Sequence, residues 1–506
     1  MYKKHSTTHL AMGTLFASTL ILLASCNKSL HRNERLTPEK EPSIEQIDPG
    51  ITKAKTPKTI PLITVTNLKG EPIERAQVLF GTKIGQPFVN NFVETNQSGQ
   101  VTAPEGWDDP LSITVSYPEH MKVTYYQALP QNLSFKLRPL AKASQIQLAG
   151  KTTNFGSLRR DNIVDFGLVI QALTRSDLFS FNIDKLVSPE SDNLKFGPVE
   201  AAAPSNLTFP SQQETYVVPI PIEKERYRLY FREPGLFRTY ALHGQFPFKE
   251  TIDQFRNKVP FTTLINSFHF VSGGLKEFQL DGPLELNLPV NENNFTAQET
   301  LLPPPVAPNY FMLSVSISEV NGFLYPTDMH KAEGQKPFAL KSIESSQRHF
   351  LSVLAFDPNG SKASTQRQEA SSLEFVPQSP NHTPQFISLV PVPTGTTTGW
   401  TTAQTPTTVQ GVNPLTTFSV FSRVVPDGKR KKIIREWEVY AQNWVQNIEL
   451  PEWPVEDNDP VTEADAHRWE VVYIGSNQKL PISSQSSFGP DVAELTSHVS
   501  FNSVEF

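Results

Sequence analysis

The chain holds a single cysteine in 506 residues, Cys26, so no intrachain disulfide is available and its domains must stand on packing alone. It is poor in Met (5) and has 25 Gly against 43 Pro and 33 Phe. That balance disfavours long helices and favours strands and proline-broken loops. Long apolar runs are missing beyond the first two dozen residues, so no later segment is expected to span a bilayer as a helix. Basic charge is not in excess either. The formal net charge is −6, which argues against nucleic acid as a partner. Also missing are His-Glu-x-x-His, Gly-x-Ser-x-Gly and a phosphate-binding glycine loop. What remains is a mainly β chain, too long for one core, with an expected division into about three or four domains.

The cysteine stands at the end of the one long apolar run. Lys3 and Lys4 give residues 1–25 a positive start, Leu10 to Leu23 is mostly apolar, and the small residues Ala24 and Ser25 follow. The stretch Leu22-Leu23-Ala24-Ser25-Cys26 resembles the lipobox of bacterial lipoproteins. The resemblance implies cleavage before Cys26, diacylglycerol on its thiol and acylation of its freed amine. Several chains on one residue hold a protein firmly at a membrane where a single chain is marginal. The alternatives are an ordinary N-terminal membrane anchor or a buried free cysteine. Asn27 stands where an aspartate retains Gram-negative lipoproteins at the inner membrane, so the resemblance implies the outer membrane, with the periplasmic or surface face left open. Loss of Lys3 and Lys4 takes the charge from −6 to −8.

Residues 26–60 carry the cysteine and a polar, charged stretch without an aromatic residue, expected as a flexible tether with a reach of roughly 30 Å. Residues 61–139 alternate apolar and polar positions over Leu62 to Thr66, Ala76 to Phe80, Phe88 to Thr95, Leu111 to Tyr117, Met121 to Gln127 and Leu133 to Leu137. The turns around Gly70-Glu71-Pro72 and Ser98-Gly99, followed by Leu111, Ile113, Val115, Tyr117 and Leu133, Phe135, Leu137, are similar to a carboxypeptidase regulatory-like domain. That family is a transthyretin-like β-sandwich, chiefly a spacer or interaction module, and it brings no catalytic residues. Another Ig-like sandwich of seven strands is the alternative.

Tandem β-sandwiches are expected to continue. Residues 140–290 read as a β-rich domain with strands at Ile163 to Leu173, Tyr216 to Ile222, Arg226 to Phe231 and Leu236 to Gln245. A small helical insertion is marked by Phe248, Ile252 and Phe255, then by Phe261, Leu264, Ile265 and Phe268, with Pro260 between. Residues 291–309 read as a Pro-rich linker, 310–393 as a third β domain, 394–410 as a Thr-rich loop and 411–506 as a C-terminal β domain. Its hairpin, Thr416 to Val425 with Ile433 to Val445, is expected to turn at Pro426-Asp427-Gly428, and further strands at Trp469 to Ile474 and Val492 to Val504.

Candidate chemistry is thin. His330, Glu333 and His467 contain a His-x-x-Glu pair and a distant histidine, the ligand types of a zinc carboxypeptidase, although the other motifs of that family are missing. Glu452, Glu456, Asp457, Asp459, Glu463 and Asp465 form an acidic stretch whose oxygens suit Ca²⁺ only outside the EF-hand order. Ser476-Asn477-Gln478-Lys479 matches Ser-x-x-Lys in a turn context, and Lys429-Arg430-Lys431-Lys432 places positive charge at the hairpin tip. Trp400, Trp437, Trp444, Trp453 and Trp469 gather in the last third, and aromatic platforms bind glycans and proteins. Core packing is the competing use of all five. The pattern as a whole implies a membrane-anchored envelope lipoprotein with a structural, adhesive or ligand-binding role and no required cofactor. The rival is an envelope hydrolase acting on peptide or glycan, with either His330, Glu333 and His467 on zinc or a carboxylate pair not located in the sequence.

Overall fold

Short segments form the first seven strands, with burial alternating along β1 and β7 and nearly continuous along β5: β1 (Leu62–Asn67), β2 (Gln77–Phe80), β3 (Phe92–Glu94), β4 (Gln100–Thr102), β5 (Leu111–Ser116), β6 (Lys122–Ala128) and β7 (Leu133–Leu137). They fall in two layers. The order β4-β1-β7 forms one, with β1 and β7 parallel, and β6-β5-β2-β3 lies in the other. Ile63, Val65, Phe135 and Leu137 of the first pack with Val78, Phe80, Ile113, Val115 and Tyr125 of the second, and the Tyr125 and Phe135 rings stack at 3.8 Å. The expected strand over Phe88 to Thr95 shortens to β3, because residues 81–91 form a loop closed by a buried asparagine and holding a cis Gln86–Pro87 peptide.

The computed structural model describes residues 60–140, 146–154, 159–160, 162–171, 190–196, 199–209, 213–215, 226–231, 234–257, 265–302, 311–321, 323–332, 335–356, 371–377, 382–427, 430–453, 466–479 and 484–506. Cys26, Glu333, the Tyr216 to Ile222 segment and the second helical piece up to Leu264 lie outside them.

The middle of the chain supplies β8 (Ile146–Thr153), β9 (Arg159–Arg160), β10 (Ile163–Gln171), β11 (Glu190–Phe196), β12 (Val199–Phe209), β13 (Gln213–Thr215), β14 (Arg226–Phe231) and β15 (Gly235–Pro247). Helix α1 (Phe248–Arg256) follows, then β16 (His269–Leu280), β17 (Leu284–Glu285), β18 (Leu288–Pro289) and β19 (Asn293–Leu301). The helix stands where the spacing of Phe248, Ile252 and Phe255 put it, whereas Ile265 sits in a single 3₁₀ turn, Ile265–Ser267. β19 occupies a stretch expected as linker. Phe295 and Leu301 are buried on it, and the proline-rich part of the expected linker, residues 303–310, lies outside the described residues.

The remaining strands are β20 (Phe311–Val320), β21 (Phe323–Lys331), β22 (Phe338–Ile343), β23 (Arg348–Phe356), β24 (Ser371–Pro377), β25 (Thr394–Thr396), β26 (Gly399–Thr401), β27 (Asn413–Asp427), β28 (Arg430–Gln442), β29 (Asn447–Glu449), β30 (Ala466–Ser476) and β31 (His498–Glu505). The order β9-β10-β15-β16-β19-β22 makes one sheet and β11-β12-β13-β14-β8-β17 another. Leu148, Tyr227, Leu229 and Phe231 of the latter pack against Val169, Ala241, Phe278 and Leu280 of the former. The expected hairpin is present as β27 and β28, but β27 runs on through Asp427, which pairs with Arg430. Two corrections follow at its flanks. Residues 394–401 pair as β25 and β26 and bury Trp400, and residues 490–495 form a 3₁₀ turn opened by Gly489 and Pro490, with β31 beginning only at His498.

One sheet ties the ends of the chain together. It runs β21-β20-β23-β24-β31-β30-β27-β28-β6-β5-β2-β3, and its seam is the parallel pairing of β28 with β6 from Trp437↔Lys122 to Ala441↔Tyr126. β6 would otherwise end its layer as an open edge, and β28 satisfies its hydrogen bonds. One face around the seam packs Leu415, Phe418, Val420, Tyr440 and Ile474 into the core of the first seven strands. The other packs Phe421, Val439, Trp469, Val471 and Tyr473 under Trp400 and Ile448 of the small sheet β25-β26-β29. The protein is therefore mainly β throughout the described residues.

Candidate functional site

Covering both faces of a sheet removes charged residues from water, and the strands around the seam carry several. Glu438 on β28 and Glu470 on β30 both pair with Val420 of β27, so the three side chains share one face. Glu438 is fully buried and meets Arg138, with Nε 3.1 Å from Oε1. Glu470 accepts from Arg435 at 2.6 Å and has Arg468 at 3.6 Å. A register shift between Phe421 and Ser422 in the β27–β28 pairing sets Arg435 opposite Ser422, which Arg468 faces from β30. Five buried charges thus pair among themselves. Their chemistry is structural, because a buried ion is tolerated when it is paired and hydrogen bonded.

A second constellation has the residue types of acyl transfer. On β10, β15 and β16, Asp165, His243 and Ser272 are 3%, 5% and 2% exposed. Asp165 Oδ1 lies 2.6 Å from His243 Nε2 and also accepts from Gln245 Nε2 at 2.8 Å. Ser272 Oγ stands 3.4 Å from His243 Nδ1 but donates to the Val290 carbonyl at 2.6 Å. With Asp165 on Nε2, the ring nitrogen toward the serine is Nδ1, and the hydroxyl proton is directed to the backbone. An activated nucleophile needs that proton held by the base and its oxygen open to substrate. This chain of contacts instead links three strands to the segment after β18.

The third gathers on β24 and β31. Glu374 receives His382 Nε2 at 2.9 Å on one oxygen and has His498 Nε2 at 3.6 Å from the other. Ser497 Oγ lies 2.8 Å from His498 Nδ1. Burial by itself would raise the Glu374 pKa. The two imidazoles outweigh it and hold the carboxyl below its ordinary value.

The residues singled out by sequence are not brought together. His330 lies on β21, stacked on Phe338 at 3.9 Å, while His467 lies on β30, buried between Phe421 and Phe506. β20, β23, β24 and β31 intervene, so at about 4.8 Å per strand they stand roughly 24 Å apart along the sheet. They do not share a metal site. Among the described residues no group of three or more His, Cys, Asp or Glu is arranged to hold a metal ion. Of the acidic stretch, Glu452 is exposed and its N–H donates to Thr82 O at 2.6 Å, and residues 454–465 lie outside the described set. Lys429 does too. Ser476 ends β30 with its Oγ accepting from Gln478 N, so the Ser-x-x-Lys match has no helical mount.

The tryptophans belong to the packing. Trp400 and Trp469 are 2% and 0% exposed, donating to Ser419 Oγ at 3.0 Å and Thr396 O at 2.9 Å. Trp444 donates to Ile474 O at 2.8 Å, and Trp437 to Thr124 Oγ1 at 2.7 Å across the seam. Trp453 meets Phe92 at 5.5 Å between ring centroids. Trp400 and Trp469 thus present no face to a ligand, and the five do not form a common platform. Each polar edge already has a partner in the first four, which is how a buried indole is accommodated.

Sequence reasoning missed the loop that is most deliberately built. Asn91, fully buried, donates through Nδ2 to Phe80 O, Lys83 O and Gln86 O at 2.7–2.8 Å and accepts from Gly85 N at 2.8 Å. Gly81 allows the closure, since at φ 115° a Cβ there would sit 2.3 Å from Gln86 O. The loop is fixed from within, while Ile84 and Val89 remain 54% and 89% exposed. A search against protein-family models and a search of curated proteins both find no match to this chain.

Proposed function

We propose that this chain is a lipid-anchored protein of the bacterial envelope, with Cys26 as the acylated residue and a β body that serves a structural, adhesive or ligand-binding role. The observation that carries it is the placement of the only cysteine directly after Leu22-Leu23-Ala24-Ser25, behind a charged start and a short apolar run. The two-layered arrangement of residues 61–139 supports their resemblance to a regulatory-like module, used here as a stalk. The buried charges support a scaffold more than a catalyst, because each pairs with another part of the sheet. Among the described residues no helix is long and apolar enough to cross a membrane. Asn27 supports the outer membrane as the address.

The test is Cys26→Ala in the full chain, followed by radiolabelled palmitate incorporation and fractionation of envelopes on a density gradient. Loss of label and release from salt-washed membranes are expected, with the unsubstituted protein in the outer-membrane fraction. A Cys26→Ala protein that still sediments fully after the salt wash would sink the proposal.

A further inference from the structure

The strand registers place three loops and the entry of the chain at Ile60 at one end of the first sandwich. Leu62 pairs with Thr102 and Ile63 with Leu133, so Ile60, residues 103–110 and residues 129–132 meet there. Phe80 pairs with Ile113 and Leu111 with Ala128, which brings loop 81–91 to the same end. This is also where the chain arrives from Cys26. Ile60 (43%), Ile84 (54%), Val89 (89%) and Leu129 (44%) are exposed at this end, half of the eight large hydrophobics that the described residues leave exposed. Scattered exposed apolar residues need no explanation, but a cluster on one end does. Loop 81–91 is held rigid by Asn91, so it presents Ile84 and Val89 without an ordering cost when they are covered.

We propose that this end faces the lipid bilayer and that Ile84 and Val89 enter its interfacial layer. The inference rests on the anchoring at Cys26 proposed above. Thirty-three residues lie between Cys26 and Ile60, a length that as a coil would reach about 30 Å, so the bilayer is the apolar surface that this end would meet first. Such a tether gives an effective concentration near the millimolar range, so weak insertion is enough. Apolar contact, and not charge, carries it. Glu105, Asp108, Asp109 and Glu452 lie around the apolar tip with Lys83, while Lys53, Lys55 and Lys58 precede Ile60 with no acidic residue after Asp48.

The experiment uses the full lipidated chain, reconstituted into phosphatidylethanolamine and phosphatidylglycerol vesicles. Val89→Cys is labelled with an environment-sensitive nitrobenzoxadiazole dye, and Leu236→Cys, on β15 of the other sandwich and 65% exposed, is the control. In the acylated protein the introduced thiol is the only free one. The Val89 probe should shift to the blue and be quenched by acyl-chain nitroxide lipid at least roughly twofold more than the control, as expected at a depth of 5–10 Å. Equal quenching at both positions would overturn the inference while flotation with the vesicles keeps the anchor intact. A blue shift without lipid quenching would assign the surface to protein and also overturn it. Failure to float, with no lipid on Cys26, would remove the anchor and the inference together.

Discussion

Arg138, just beyond the end of β7, and Glu438, on β28, form an ion pair with both side chains 1% exposed, joining segments at opposite ends of the chain. Tyr440 adds a hydrogen bond from its hydroxyl to Glu438 Oε2 at 3.1 Å. Burial, ahead of the nearby carboxylate, pushes the Tyr440 pKa well up, so the hydroxyl stays a donor. The pair stands beside the β6–β28 seam, where sheet hydrogen bonds and charge act together.

Arg138→Met should leave Glu438 buried without its cation, at a cost of about 3–5 kcal/mol. The double variant Arg138→Met with Glu438→Leu should recover much of that loss, since both charges leave together. Thermal midpoints of the two variants check this. A double variant less stable than the single would show that the pair itself, rather than the orphaned charge, dominates.

Much of this architecture was legible and its seam was not. The alternation of Leu62, Thr64 and Thr66 with Ile63 and Val65 marks β1, and the apolar run through Thr416 to Val425 marks β27. Period two says which residues share a face. It says nothing about whether the other face meets water, so the alternation around Trp437, Glu438 and Val439 does not show that Glu438 is buried. Nor does it choose a partner: β6 and β28 find each other because each exposes an edge, a property of the assembled layers. Trp400 and Trp469 looked available for ligand for the same reason, since β25 and β26, which lie over Trp469 and carry Trp400, came from a stretch read as loop. Asn91 carried no signal beyond being the second of two asparagines after Val89.

Asn91→Ala should free four hydrogen-bonding groups inside loop 81–91, at a cost of about 1–3 kcal/mol, with the effect concentrated locally. Faster proteolysis within residues 82–90 and faster amide exchange at Gly85 are the expected results. Asn91→Asp should be worse, because it sets a carboxylate against three carbonyl oxygens. Unchanged cleavage in both variants would mean that the loop is held by something else.

Asp328 should make stability fall as pH rises toward neutrality. Burial pushes its pKa up to about 6 from 3.8, against the lowering effect of the Lys341 and Met329 amides that donate to its oxygens at 2.9 Å. The folded state therefore keeps the proton to higher pH than the unfolded chain. Its contribution is fully present below about 4 and is lost as pH rises through about 6, roughly 2–3 kcal/mol in all. Asp328→Asn should remove this slope between pH 4 and 6. Thermal midpoints across that range decide it, and an unaltered slope in the variant would refute the assignment.

Glu374 should act with the opposite sign in a more acidic window. Its carboxyl is held below its ordinary value of 4.5 by His382 and His498, although burial opposes them. A depressed folded pKa means that the stabilisation is complete above about 4.5 and disappears as pH falls through the folded value. The contacts join β24 to β31 and to the segment at His382, so their loss loosens the middle of the long sheet rather than its edge. Glu374→Gln retains the shape but replaces a charged acceptor, and at pH 7 it should cost about 1.5–3 kcal/mol. The difference from the unsubstituted protein should shrink as pH drops below about 4.5, since acid neutralises the same group. Urea unfolding of both proteins at pH 7, 5 and 3.5 measures it. A difference that stays constant to pH 3.5 would show that Glu374 contributes through packing and not through its charge.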